Sequence, residues 1–390
     1  MDTEKAVMDS PRTFASLINQ HSFKGKKTAP LCNFSFFLGA GFPKSWDERF
    51  PLENQLFEFK YKEWNPSGQA LEQFLTLNNY QVHGLDITCE LFKDIVYQIG
   101  MMKKYAVVRS RYLDEQNIAI VENELKALIV EKFKNMAPSY PVNPDLDKFC
   151  FDTQLSDDQQ TILQLFSRLL RDADGSESLP EGVRPHFITT NYDATIEAIL
   201  DNCAGPDESF LRHTYRGITP RQCCCGKNRA TAIHDHGFVN NLLKVNGGFE
   251  IYETPLGYEF DYREKDFRSL KLNPPQIMLP SHEQDYQQKY FQAIFPKVIR
   301  LLHESTVLVI VGYSLPEEDA LVRLILKQFA EDRSDGYNKV VFYIDLAIDD
   351  TQIHRINKIF HHSGERRCLT VIPYTGKFSA WARAVLEHLS

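Results

Sequence analysis

The chain has 390 residues, 43% hydrophobic and 25% charged, which is enough to bury a large core and too apolar for wholesale disorder. The formal charge is −8, from 44 basic and 52 acidic residues, and no basic stripe is present, so direct nucleic-acid binding is not expected. The longest apolar run, Thr306 to Val311, is far shorter than the roughly 20 residues of a membrane-spanning helix, and Met1 to Pro11 carries acids and no apolar stretch of a secretion signal. The expected setting is the cytoplasm, away from membranes.

In chain order, the N-terminal segment to Gln20 reads as an amphipathic helix, with Phe14, Leu17 and Ile18 at helical spacing. After the polar linker Lys24 to Ala29, Asn33 to Leu38 is an apolar run of strand length that passes directly into Gly39-Ala40-Gly41. Four helical patterns follow, around Leu71, Phe74 and Leu75; around Leu91, Ile95, Ile99 and Met102; over Ile118, Ile120, Val121, Leu125, Leu128 and Ile129; and over Ile162, Leu163, Phe166, Leu169 and Leu170. His186 to Thr190 resumes the strand pattern and ends at Asn191, before a helix carrying Ala194, Ile196, Ile199 and Leu200. Further strands are predicted at Ala230 to Ile233, Thr306 to Val311 and Val340 to Ile344, with a helix from about Glu317 to Glu331 between the last two. Strands alternating with helices predict an α/β fold: a Rossmann-like parallel sheet with helices on both faces, plus a helical insertion. The expected domains are an N-terminal helical extension over 1–32, a nucleotide-binding domain over 33–69 and 175–390, and the helical insertion over 70–174.

Five places carry chemistry. Glycines at a strand end, as in Gly39-Ala40-Gly41, allow a tight turn and close backbone approach to a diphosphate, although Lys44 breaks the full GxGxxG pattern. Thr190, Asn191 and Asp193 fall where a parallel strand ends and a helix begins, the edge at which open α/β sheets bind ligands. Asp193 suits a helix cap, which leaves Asn191 without that explanation. In Ile233-His234-Asp235-His236-Gly237 the two histidines share a face of an extended segment, but a metal would need a third ligand that the local sequence does not supply. Gly312 and Ser314 follow a strongly apolar strand, where a second diphosphate or ribose contact would fall, and Glu317-Glu318-Asp319 suit the first turn of the next helix. Asp345 ends the last predicted strand, where a carboxylate can accept from a ribose. The eight cysteines suit a reducing compartment. Cys223-Cys224-Cys225 cannot all wrap one tetrahedral ion, so no metal is expected.

In this order the motifs resemble the sirtuin family, and within it the bacterial defence-associated branch. Phe37-Leu-Gly-Ala-Gly-Phe42 is similar to its phosphate loop, Pro51-Leu52 with Leu56 to the stretch after it, Ile188-Thr-Thr-Asn-Tyr-Asp193 to its TQNID-type signature, His236-Gly237 to its catalytic His-Gly, and Gly312-Tyr313-Ser314 to its G-[TS]-S. Pro43 departs from the serine usual in that loop, and the paired CxxC motifs of the deacetylating members are missing. The resemblance implies NAD as substrate, and hydrolysis of its nicotinamide–ribose bond in antiphage defence rather than protein deacylation. It implies Asn191 on the nicotinamide ribose and attacking water, and His236 as base. It places Gly39, Ala40, Gly41, Phe42, Thr190, Asp193, Gly312, Ser314 and Asp345 around the dinucleotide. It further implies a homo-oligomer and a hexameric HerA-like ATPase or helicase as partner. An NAD-dependent protein deacylase and a non-catalytic NAD or ADP-ribose sensor are the alternatives.

Overall fold

The computed structural model describes residues 9–21, 32–109, 113–143, 148–151, 154–170, 183–203, 214–225, 228–231, 240–284, 286–331, 338–360 and 369–389. Six parallel strands make the central sheet: β1 (Cys32–Leu38), β2 (Val183–Thr189), β3 (Leu242–Lys244), β4 (Ser305–Val311), β5 (Lys339–Asp345) and β6 (Leu369–Thr375). Their spatial order is β6-β5-β4-β1-β2-β3. The chain starts in the middle, builds outward through β2 and β3, then crosses to the other side of β1 and builds outward again. That is the doubly wound order of dinucleotide-binding sheets, and its reversal opens a crevice between the carboxyl ends of β1 and β4. The register keeps those ends level: Leu38 is paired with Thr189 on one side and Val311 on the other, and Val311 with Ile344. Gly39, Thr190, Gly312 and Asp345 therefore leave the sheet along one edge.

The strands are covered on both faces, which is why β1 and β4 are nearly continuous apolar runs rather than alternating ones. On one face Phe37, Ile188, Leu308, Ile310 and Tyr343 pack under the helices Lys289–Glu304, Ala320–Ala330 and Asp350–Phe360. On the other, Phe36, Leu38, Phe187, Val309 and Phe342 pack under Ser10–His21, Asp157–Leu170, Thr195–Cys203 and Phe378–His388. The helix Ser10–His21 belongs to this core: the Phe14 ring lies 5.6 Å from Phe34 and 4.8 Å from Trp381, and Trp381 Nε1 donates to Ser10 Oγ at 3.0 Å. A third apolar cluster unites Glu53–Phe57, Gln69–Leu77, Cys89–Lys104 and Glu115–Met136 with Ile277 and Leu279. The helix Asp157–Leu170 contributes to the sheet-side core instead, through Ile162, Leu165, Phe166 and Leu169.

The edge strand β6 was not among the predicted strands, and three further features differ from the sequence reading. The strand around Ala230, Asn228–Thr231, lies in a separate four-stranded sheet with Gln222–Cys225, Gly257–Asp261 and Ile251–Thr254, and its predicted end at Ile233 lies outside the described residues. The third strand of the main sheet is β3, too short at three residues for periodicity to register. The helix predicted from about Glu317 begins at Ala320, and the Asp319 carboxyl before it accepts from Tyr313 Oη at 2.7 Å instead of capping the helix. No described helix is long and apolar enough to cross a membrane.

Candidate functional site

The crevice at the strand reversal is built by two loops whose backbones touch. Gly41 N donates to Gly312 O at 2.8 Å, Gly39 N to Val311 O at 3.0 Å, and Gly312 N to Ile344 O at 3.0 Å. Gly312 is left-handed, with φ +58°, and a Cβ there would lie 2.5 Å from Gly41 Cα. A Cβ on Gly41 would meet Gly312 Cα at 2.7 Å, and one on Gly39 would meet Gly312 O at 2.5 Å. All three glycines are required before any ligand is considered. The crossing fixes Ala40, Gly312 and Ser314 on one wall of a cleft.

The opposite side comes from the end of β2. Asn191 Nδ2 donates to Gly39 O at 2.9 Å, while Asn191 N donates to Thr189 Oγ1 at 3.0 Å, so the amide ties the β2 end to the glycine loop. Thr190, Asn191 and Asp193 line the same cleft. Asp193 Oδ1 accepts from Thr195 N at 2.8 Å, an Asx turn that starts the next helix as the sequence suggests. Burial raises the Asp193 carboxyl above its usual range.

Phe42 turns its ring into the core, 6.2 Å from Phe166 and 5.9 Å from Phe378, and its amide donates to Gly39 O at 3.0 Å. Gly39 and Gly41 lie behind the cleft surface as its backbone support. Asp345 is separate from that surface: its carboxyl accepts from Leu346 N at 2.7 Å and stands 3.5 Å from Tyr343 Oη. Tyr343 Oη in turn donates to Tyr313 O at 3.0 Å, linking Asp345 to the Gly312 loop indirectly. His236 lies outside the described residues, as do His234 and Cys368. Cys223 is buried in the apolar core, and among the described residues no three His, Cys, Asp or Glu side chains converge as a metal would require.

Pro51, Leu52 and Leu56, the stretch that the resemblance singled out, bring the helical cluster to the cleft; Glu53 and Phe133, the latter from the long helix Glu115–Met136, line it without a local motif. Tyr192 is half-buried on the cleft wall, donates to Met278 O, and is pushed far up by burial of its hydroxyl. Glu53 and Asp319 both line the cleft with carboxyls raised chiefly by burial. Lys93 stands 3.5 Å from Glu53 and 3.8 Å from Glu318, joining the helical cluster to the loop after β4. Asn246 Oδ1, also on the wall, is buried without a partner. Leu315 holds φ +54° while fully buried, a strained backbone of the kind found beside ligand sites.

No family model matches the chain, and no curated protein matches it. A solved structure from work on the mechanism and regulation of Sir2 enzymes is similar at 11% identity, over 98% of this chain and 98% of that one, with a TM-score of 0.40.

Proposed function

We propose that the chain is an NAD hydrolase that releases nicotinamide from the dinucleotide and leaves ADP-ribose, depleting NAD in antiphage defence. The observation that carries the reading is the glycine crossing at the β1/β4 reversal, with Asn191 bonded across it. The crossing brings the main chain of Ala40, Gly312 and Ser314 to the cleft surface, which suits a diphosphate, whose recognition needs close main-chain approach. The wall is also acidic: Glu53, Asp193 and Asp319 all carry carboxyls raised by burial, and a positively charged pyridinium relieves the charge they resist.

Bound NAD supplies a glycosidic bond whose cleavage passes through an oxocarbenium-like state. Asn191 is the residue placed to hold the ribose: its amide nitrogen is committed to Gly39 O, so its oxygen accepts from a ribose hydroxyl or a water. His236 serves as base, its ordinary value lying near neutrality. Ala40, Gly312 and Ser314 face the phosphates and adenosine ribose, Thr190 and Asp193 support the pocket, and Asp345 acts through Tyr343 and the Gly312 loop. A homo-oligomer assembled with a hexameric HerA-like ATPase completes the proposal. Incubation with NAD, with and without that ATPase, should release nicotinamide in the wild type and at least about 100-fold less in Asn191→Ala and His236→Ala, the scale of a lost acid–base or orienting group. Full activity in either variant refutes its assigned role.

A further inference from the structure

Lys244 closes β3 and is 2% exposed, a rare depth for a lysine. Its Nζ lies 2.7 Å from Glu197 Oε1 and 2.9 Å from Glu250 Oε2. It also donates to Asp193 O at 2.7 Å and reaches Tyr192 O at 3.4 Å. Arg216 stands 3.4 Å from Glu197 Oε1 and 4.0 Å from Glu250 Oε1, giving two cations and two carboxylates, all buried. Burial opposes the ammonium, but Glu197 and Glu250 hold it protonated. Such a group is costly to enclose and stays charged only where every proton finds an acceptor.

Lys244 does not line the cleft; it grips the back of the segment that does. The same segment is bound by Val245 N to Thr189 O and Phe249 N to Tyr192 O, both at 2.9 Å. β3 and its following turn are therefore a scaffold for the Asn191 loop, and the ammonium reaches the carbonyl that the backbone bonds leave.

We propose that Lys244 is a positioning residue: from behind the cleft its ammonium fixes the Tyr192 and Asp193 carbonyls, and through them the placement of Asn191 for the reaction. The catalytic half of this inference rests on the NAD-cleavage reading; the positional half does not. A charge-assisted bond of this kind corresponds to roughly a ten- to hundred-fold change in a local opening equilibrium.

Removing Lys244 alone strands two carboxylates and can prevent folding. Lys244→Met combined with Glu197→Gln keeps the buried charge balanced, with Glu250 facing Arg216. Amide hydrogen exchange, ADP-ribose affinity and nicotinamide release are to be measured on the full chain, with Lys244→Arg alongside. The double variant should melt cooperatively and exchange roughly ten- to hundred-fold faster over residues 190–195, while β1 and β4 keep their protection. Nicotinamide release should fall by a similar factor with ADP-ribose affinity changed less than about threefold, and Lys244→Arg should recover most of the protection. Wild-type exchange over 190–195 in the folded double variant overturns the proposal, as does acceleration spread evenly over the sheet. If the wild type releases no nicotinamide, the cleavage reading fails, while the exchange pattern still decides whether Lys244 positions the loop.

Discussion

Replacing Gly312 with alanine probes the backbone crossing directly. Its φ of +58° costs an alanine about 1 kcal/mol before any contact is counted. The added Cβ would lie 2.5 Å from Gly41 Cα, 2.6 Å from Gly41 C and 2.8 Å from Phe42 N, all main-chain atoms that no rotamer change can move. The loops must part by close to 1 Å, which breaks the bond from Gly41 N to Gly312 O and adds about 1–2 kcal/mol. The expected loss is about 2–3 kcal/mol of stability, together with loss of dinucleotide binding. Gly84 provides the control: its φ is +76°, but a Cβ there would meet nothing within 4 Å, so Gly84→Ala should cost only the left-handed share of about 1 kcal/mol. Urea unfolding and ADP-ribose calorimetry on both variants measure the difference. Equal destabilisation by the two substitutions, or undiminished ADP-ribose binding by Gly312→Ala, refutes the crossing as the basis of the site.

Other outcomes follow from the same coordinates. Asn191→Asp keeps the size of the side chain but sets a carboxylate against the Gly39 carbonyl; turnover should drop at least about tenfold while thermal melting stays cooperative. Phe14→Ala should cost about 3–5 kcal/mol in chemical denaturation, since that ring is fully enclosed between Phe34 and Trp381; a loss below about 1 kcal/mol would show the first helix to be dispensable. His186 falls from the usual 6.5 to about 4, chiefly through burial and further through Arg184. Its folded value lies below its unfolded one, so that share of stability is complete above about pH 6.5 and is lost as pH falls toward 4, by about 3 kcal/mol in all. His186→Gln should flatten the stability profile in that window, and an unchanged slope counts against the assignment.

The sheet was legible where burial on both faces leaves a mostly apolar run, as in Phe34 to Leu38, interrupted only by Ser35, and Val307 to Val311. β3 and β6 were not: one has three residues, and the other is an edge strand whose Leu369–Thr375 alternates irregularly between exposed and buried. Within the candidate site, Gly39, Gly41, Gly312 and Asn191 stood out because strand-end glycines mark close backbone approach and Asp193 already accounted for the helix cap. Glu53, Met278 and Gln284 reach the cleft through long-range packing, which leaves no local pattern to read. Lys244 is the sharpest case. As a residue it reads as surface, and only the pairing of β3 with β2 carries it inside, beneath Asp193.

The central claim is that this cleft cleaves NAD without a second substrate. Chromatographic measurement of nicotinamide and ADP-ribose, from wild-type protein and NAD with and without the proposed HerA-like ATPase and with no acylated peptide, tests it most directly. Equal amounts of the two products, absent in Asn191→Ala, are predicted. Intact NAD, or cleavage that begins only when an acyl-lysine peptide is added, would contradict it.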